Sequence, residues 1–95
     1  MTKLSRILSV EPVVHGVLKL AWSDGYEGVV DLRGMIARGK LFQPLGDPEY
    51  FKNVRISEYG HSVYWGEADN EDIDFAADRL REIAQQQAAL LAHAN

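Results

Sequence analysis

The stretch LKLAWSDGYEGVVDL, residues 18–32, decides the fold. Its first part alternates, with Leu18, Leu20 and Trp22 on one side and Val17, Lys19 and Ala21 on the other, which is the period of a half-buried strand. Ser23-Asp24-Gly25-Tyr26 then reads as a turn, because an Asp-Gly pair suits a tight connection that needs positive φ. The chain re-enters a strand over residues 27–32, with Val30 and Leu32 as the inward pair. A turn this short joins antiparallel strands only, so the nucleus of the fold is a hairpin.

Working outward, residues 6–14 alternate again, with Leu8, Val10 and Val14 on one face and Ser9, Glu11 and Val13 on the other. Pro12 places the end of this strand at a sheet edge. His15-Gly16 supplies the break before Val17, which completes a three-stranded meander. On the other side, Leu32, Met35 and Ile36 at helical spacing predict a short connector helix over residues 32–38, stopped near Gly39. Residues 41–45 read as an apolar loop. Asp47-Pro48 opens a second short helix over residues 49–53, since Asp can cap and Pro is tolerated at the first helical position; Phe51 faces inward. Residues 54–58 and 61–65 flank Tyr59-Gly60 and alternate, predicting a second hairpin with Val54, Ile56, Val63 and Trp65 on its apolar face.

The clearest helical period runs over residues 75–93, with Ala76, Leu80, Ile83, Ala84, Gln87 and Leu90 in one stripe. The expected class is therefore α+β: a small antiparallel sheet made of a three-stranded meander plus a second hairpin, two short connector helices and a longer C-terminal helix. A single domain over residues 1–95 is expected. The helix end, Ala88-Ala89-Leu90-Leu91, extends beyond what a small sheet covers.

Totals narrow the function classes. The chain has 95 residues, a size at which one core can hide roughly 65% of the unfolded surface. At 46% hydrophobic and 25% charged it is an ordinary globular composition. A net charge of -4 disfavours general binding to phosphate backbones. With 0 cysteines there is no disulfide framework, thiol nucleophile or thiolate ligand. No apolar run approaches the roughly 18 residues of a membrane span, and no apolar leader segment follows the N-terminal basic residues, so a cytoplasmic, membrane-free protein is expected.

The acidic run Glu67, Asp69, Glu71, Asp72 and Asp74 is the most conspicuous candidate site. A calcium loop of the helix-loop-helix kind needs alternate oxygen ligands, a glycine at position six and a glutamate at position twelve. Counting from Asp69 puts Ile73 at five and Asp74 at six; counting from Glu67 puts Asp72 at six and Asp78 at twelve. Neither register supplies the glycine. The run is instead expected to begin the C-terminal helix, with Asp72 or Asp74 as its cap.

Elsewhere, His15, His61 and His93 lack metal-binding spacing, and Ser5, Ser9, Ser23, Ser57 and Ser62 lie in no nucleophile elbow. The glycines form no phosphate-binding loop. Arg33, Arg38 and Lys40 could make a basic patch beside Phe42, but cations near a helix C-terminus more simply form a solvated face. Trp22, Tyr64 and Trp65 are expected in the core or at a sheet edge. No catalytic, cofactor-binding or metal-binding residue is assigned.

The landmarks LSVEP, LKLAWSDGYEGVVDL, LFQPLGDPEYFKNVRI, YGHSVYW and DIDFAADRL, in this order and spacing, resemble domain-of-unknown-function family 2442, a group of short bacterial proteins. Asp24, Gly25, the Val30 to Leu32 segment, Leu45, Phe51 and Trp65 carry the similarity, which covers residues 6–81. These are turn and packing positions, so the resemblance implies the fold and no chemistry. Relatives are implied to include forms with an added helix-turn-helix module and members of two-gene pairs of the toxin and antitoxin kind. A longer acidic segment follows Trp65 here, and Phe75 stands where relatives start the helix with proline.

The expected function is a non-enzymatic binding or accessory module, acting through a protein partner or through self-association of the C-terminal helix. The rival is a small enzyme or ligand-binding protein with a site between the sheet and residues 41–51, using Asp24, Asp31, His15 or His61. Nucleic-acid binding through Arg33, Arg38 and Lys40 is a third possibility.

Overall fold

The computed structural model describes residues 5–67 and 70–93. Strands β1 (Ile7–Val14), β2 (Val17–Trp22) and β3 (Glu27–Asp31) form one antiparallel sheet with β2 in the middle. Strands β4 (Arg55–Ile56), β5 (Ser62–Glu67) and β6 (Asn70–Ala76) form a second, with β5 in the middle. Between them lie helix α1 (Arg33–Arg38), a 3₁₀ helix (Lys40–Gly46) and helix α2 (Pro48–Phe51); helix α3 (Ala77–His93) follows β6. The α+β class holds.

The acidic run does not start the helix. Residues 70–76 are a strand, and Asp72 and Asp74 lie within it; Asp69 lies outside the described residues. The reason is the alternation of apolar residues through the run: Ile73, Phe75 and Ala77 are buried while Asp74 and Ala76 are exposed. Ile73 sits opposite Trp65 and Phe75 opposite Val63, so a period of two pays back in core contacts. Asp74 faces solvent opposite Tyr64. The second hairpin thereby becomes a three-stranded meander, and the helix begins at Ala77 rather than residue 75.

A second correction concerns β1. Leu8 is exposed, not inward, because two residues, Ile7 and Ser9, span one step of β2, from Trp22 to Ala21. Leu8 is the extra residue of a bulge, which moves the inward role to Ile7. Val13 is displaced in the same way between Pro12 and Val14, and Val14 is also exposed. The connector segment differs in detail: residues 41–45 fall within a 3₁₀ helix rather than a loop, and α2 ends at Phe51. Asp47 does cap α2, its Oδ1 accepting from the Glu49 N–H at 3.0 Å.

One core joins both sheets. Leu18, Leu20, Trp22, Val30 and Leu32 meet Val63, Trp65, Ile73 and Phe75, with Leu45 and Phe51 closing one side and Leu80, Ile83 and Ala84 of α3 the other. Both indole N–H groups are satisfied within it: Trp22 Nε1 donates to the Ala77 carbonyl at 3.2 Å and Trp65 Nε1 to the Phe51 carbonyl at 2.9 Å. One backbone bond among the described residues stitches the sheets together, Ile7 N–H to the Gly60 carbonyl at 2.7 Å, whereas the Ala77 N–H to His61 carbonyl bond at 2.8 Å extends the β5–β6 pairing within the second sheet.

Candidate functional site

Helix α3 has 17 residues, about 26 Å at 1.5 Å per residue. Only its first half is held by the core, through Ala77, Leu80, Ile83 and Ala84 at helical spacing. Arg81 latches this half to the β2–β3 turn. Its Nη1 and Nη2 donate to the two carboxylate oxygens of Asp24 at 3.1 and 2.9 Å, and the guanidinium lies 4.0 Å from the centroid of the Tyr26 ring. The Arg81 fork, with the Tyr26 N–H as a further donor, holds the Asp24 carboxyl below its ordinary value.

The second half of the helix runs beside the outer edge of β3. Gly28 permits the approach, since a Cβ there would lie 3.3 Å from that of Ala84. One further side chain ties the two. Gln87 accepts from the Asp31 N–H at 2.8 Å and donates to the Asp31 carbonyl at 2.9 Å, so its amide stands in for a neighbouring strand. The Trp22 N–H to Tyr26 carbonyl and Leu32 N–H to Gly16 carbonyl bonds set the ladder so that residues 28 and 30 are the hydrogen-bonded partners of Leu20 and Leu18, and the backbone groups of Glu27 and Val29 therefore point to the same outer side as those of Asp31. No hydrogen bond is made to them there among the described residues.

Beyond Gln87 the helix carries Leu90 and Leu91, 71% and 74% exposed, and Val29 on the strand is 50% exposed. Together they border an open groove of about 610 Å³, walled by Glu27, Val29, Ala84, Ala88, Leu90 and Leu91. Its lining is mainly apolar. The charged groups at its margin are Glu27, which has no ion pair among the described residues, and the pair Asp31 and Arg33, the Asp31 carboxylate being forked by Arg33 at 2.8 and 3.0 Å. That fork is also what lowers the Asp31 carboxyl from its ordinary value and raises the Arg33 guanidinium.

The residues singled out from sequence do not converge. His15 lies in the first hairpin turn, its Nε2–H donating to the Leu45 carbonyl at 2.8 Å and its ring edge-on to Phe51. His61 lies just before β5, beside Tyr59. Asp24 and Asp31 are each engaged by an arginine at separate places. A cleft that Pro48, Phe51 and Lys52 form with the first hairpin turn holds about 90 Å³, with His15 and Lys52 as its titratable groups, against the roughly 300 to 1,000 Å³ of typical ligand sites. Phe42 does not serve a basic patch, because its ring stacks on Phe75 at 5.3 Å. Arg33 is committed to Asp31. Among the described residues no three His, Asp or Glu side chains gather as metal ligands, and no helix is long and apolar enough to cross a membrane.

Comparison with known proteins adds a family and a relative. No curated protein matches the chain. Among solved structures, the chain is similar to "Putative DNA Binding Protein NE0471" from Nitrosomonas europaea ATCC 19718, with 27% identity and a TM-score of 0.76. The similarity covers 94% of this chain and 56% of that one, so the present chain spans little more than half the length of its relative. The family model described as "Protein of unknown function (DUF2442)" matches residues 7–86, from the first residue of β1 to the turn of α3 before Gln87. The chain belongs to that family.

Proposed function

We infer that this chain is a non-enzymatic protein-binding module, folding as one unit over residues 1–95 and working in the cytoplasm as half of a two-gene pair. Its partner docks on the groove between β3 and the second half of α3. The observation that carries this reading is the pair Leu90 and Leu91, about three-quarters exposed on a helix that has already left its own core. Large exposed apolar groups beside a groove mark association surfaces more often than catalytic ones. The description of NE0471 suggests DNA instead, but the charge of this chain works against it: net -4, with Arg33, Lys52, Arg79 and Arg81 each ion-paired to a carboxylate.

The test is co-expression with the product of the adjacent reading frame, comparing the natural chain with a Leu90→Glu/Leu91→Glu double variant. Co-purification of the natural chain, lost in the variant while its melting curve is kept, supports the reading. A complex that survives the double variant moves the docking surface elsewhere and overturns it. So does tight, steeply salt-dependent binding of duplex DNA by the isolated chain.

A further inference from the structure

The geometry points to strand addition: the groove takes an extended segment of a partner protein, alternating apolar and basic residues, which pairs with β3 at Glu27 and Val29. This rests on the protein-binding reading above and specifies how the partner is held. Three features converge on it. First, β3 is the last strand of its sheet, and the outward N–H and C=O groups of Glu27 and Val29 are free among the described residues, a template for another strand. Gln87 closes the template at Asp31, so an added strand has a fixed stopping point.

Second, the two sides of an added strand would meet different surfaces. Side chains on one side would face Ala88 and Leu91 across the groove, and those on the other would stand beside Glu27 and Val29. Apolar residues suit the first side. Third, charge selects for the second side. Glu27 has no ion pair among the described residues, while the Asp31 carboxylate is already matched by Arg33, so a lysine or arginine opposite Glu27 completes the edge. A second copy of this chain fits less well, because it would bring another -4 and set its own Glu27 on the same face.

The experiment uses the full chain labelled with ¹⁵N and two blocked pentapeptides, Lys-Val-Lys-Val-Lys and Glu-Val-Glu-Val-Glu. The basic peptide should give saturable shifts centred on the Glu27 and Val29 amides and slow their hydrogen exchange, with the acidic peptide weaker by about ten-fold or more. Glu27→Lys, an exposed change that leaves the fold intact, should invert that preference, and Leu91→Glu should weaken both. Absence of saturable shifts at these amides overturns strand addition, as does equal response to both peptides. Concentration-dependent dimerisation through the same two amides overturns it in favour of a second copy. Should the peptides fail while the Leu90→Glu/Leu91→Glu variant still abolishes co-purification, strand addition falls and the docking surface stands; should that variant also be without effect, both fall.

Discussion

Replacing Gln87 isolates the one side-chain contact that ties the free edge of β3 to the helix. Gln87→Ala deletes two hydrogen bonds of 2.8 and 2.9 Å to the half-buried backbone of Asp31. Each such bond contributes about 0.5 to 1.5 kcal/mol net, giving a loss of about 1 to 3 kcal/mol. Alanine returns about 0.3 kcal/mol of helix propensity, so the expected loss is about 0.7 to 2.7 kcal/mol, or roughly 3 to 20 °C in Tm for a domain of this size. Urea denaturation gives the energy, and amide exchange at Asp31 should accelerate more than at Leu18 or Leu20.

Gln87→Glu sharpens the test. It keeps the acceptor for the Asp31 N–H but offers the Asp31 carbonyl a carboxylate instead of a donor. Only the protonated acid can donate there, so the folded state raises this glutamate above its ordinary value of about 4.3. The deficit is therefore full at neutral pH, shrinks as pH falls through the raised folded value, and has gone below the unfolded one. A Gln87→Ala protein within about 0.3 kcal/mol of the natural one, with exchange at Asp31 unchanged, would refute the clamp.

Three other outcomes follow from the same structure. Gly60→Ala should cost about 3 kcal/mol or more, since φ is +73° and the new Cβ would lie 2.6 Å from the Ile7 carbonyl oxygen; Gly25→Ala, at φ +93° with open space around it, should cost only about 1 to 2 kcal/mol. Equal losses in denaturation would contradict the close approach at Gly60. Asp74→Val should leave stability unchanged or raise it by up to about 1 kcal/mol, as a solvent-facing strand position permits, whereas removal of a helix cap would lower it by about 0.5 to 2 kcal/mol. Acid titration followed by circular dichroism should show stability that is present above 3.8, the unfolded value of Asp24 and Asp31, and lost as pH falls through their depressed folded values. Asp24→Asn should flatten that acid limb; an unchanged slope would remove the Arg81 latch from the account.

The first sheet was legible because its signals are local. Leu18, Leu20 and Trp22 alternate without interruption, and the Asp-Gly pair marks the turn. The same holds for Asp47, which both precedes Pro48 in sequence and caps α2 in the fold. At residues 70–76 two patterns share the same letters, carboxylates that suit a helix start and Ile73, Phe75 and Ala77 at alternate positions. Burial opposite Val63 and Trp65 decides between them, and that is a property of two paired strands which the spacing within one segment does not show. Leu8 escapes its alternation for a similar reason, since a bulge is a property of two strands in register and not of one.

The groove was only half visible. Leu90 stood out as part of a stripe, and the overhang of the helix end could be read from its length. Spacing puts Gln87 in the stripe but does not show its role, because an amide that replaces a strand can be recognised only once Asp31 is known to lie at an edge. The meeting of Glu27 and Val29 with Ala88 and Leu91 depends on how the helix crosses the sheet. Nothing in local spacing encodes that crossing.

The stitching of the two sheets bears on how the chain reaches its fold. Each sheet is built from strands consecutive along the chain, so its pairings close small loops and can form early at modest entropic cost. The bond between Ile7 and Gly60 instead joins β1 to the turn before β5, in the other sheet, and the Trp22 Nε1–H to Ala77 carbonyl bond completes the seam only when the last strand is in place. Assembly is thus expected to run as two independent meanders followed by their docking, and a lesion at Gly60 should slow that final step while leaving the earlier hairpins to form at their usual pace.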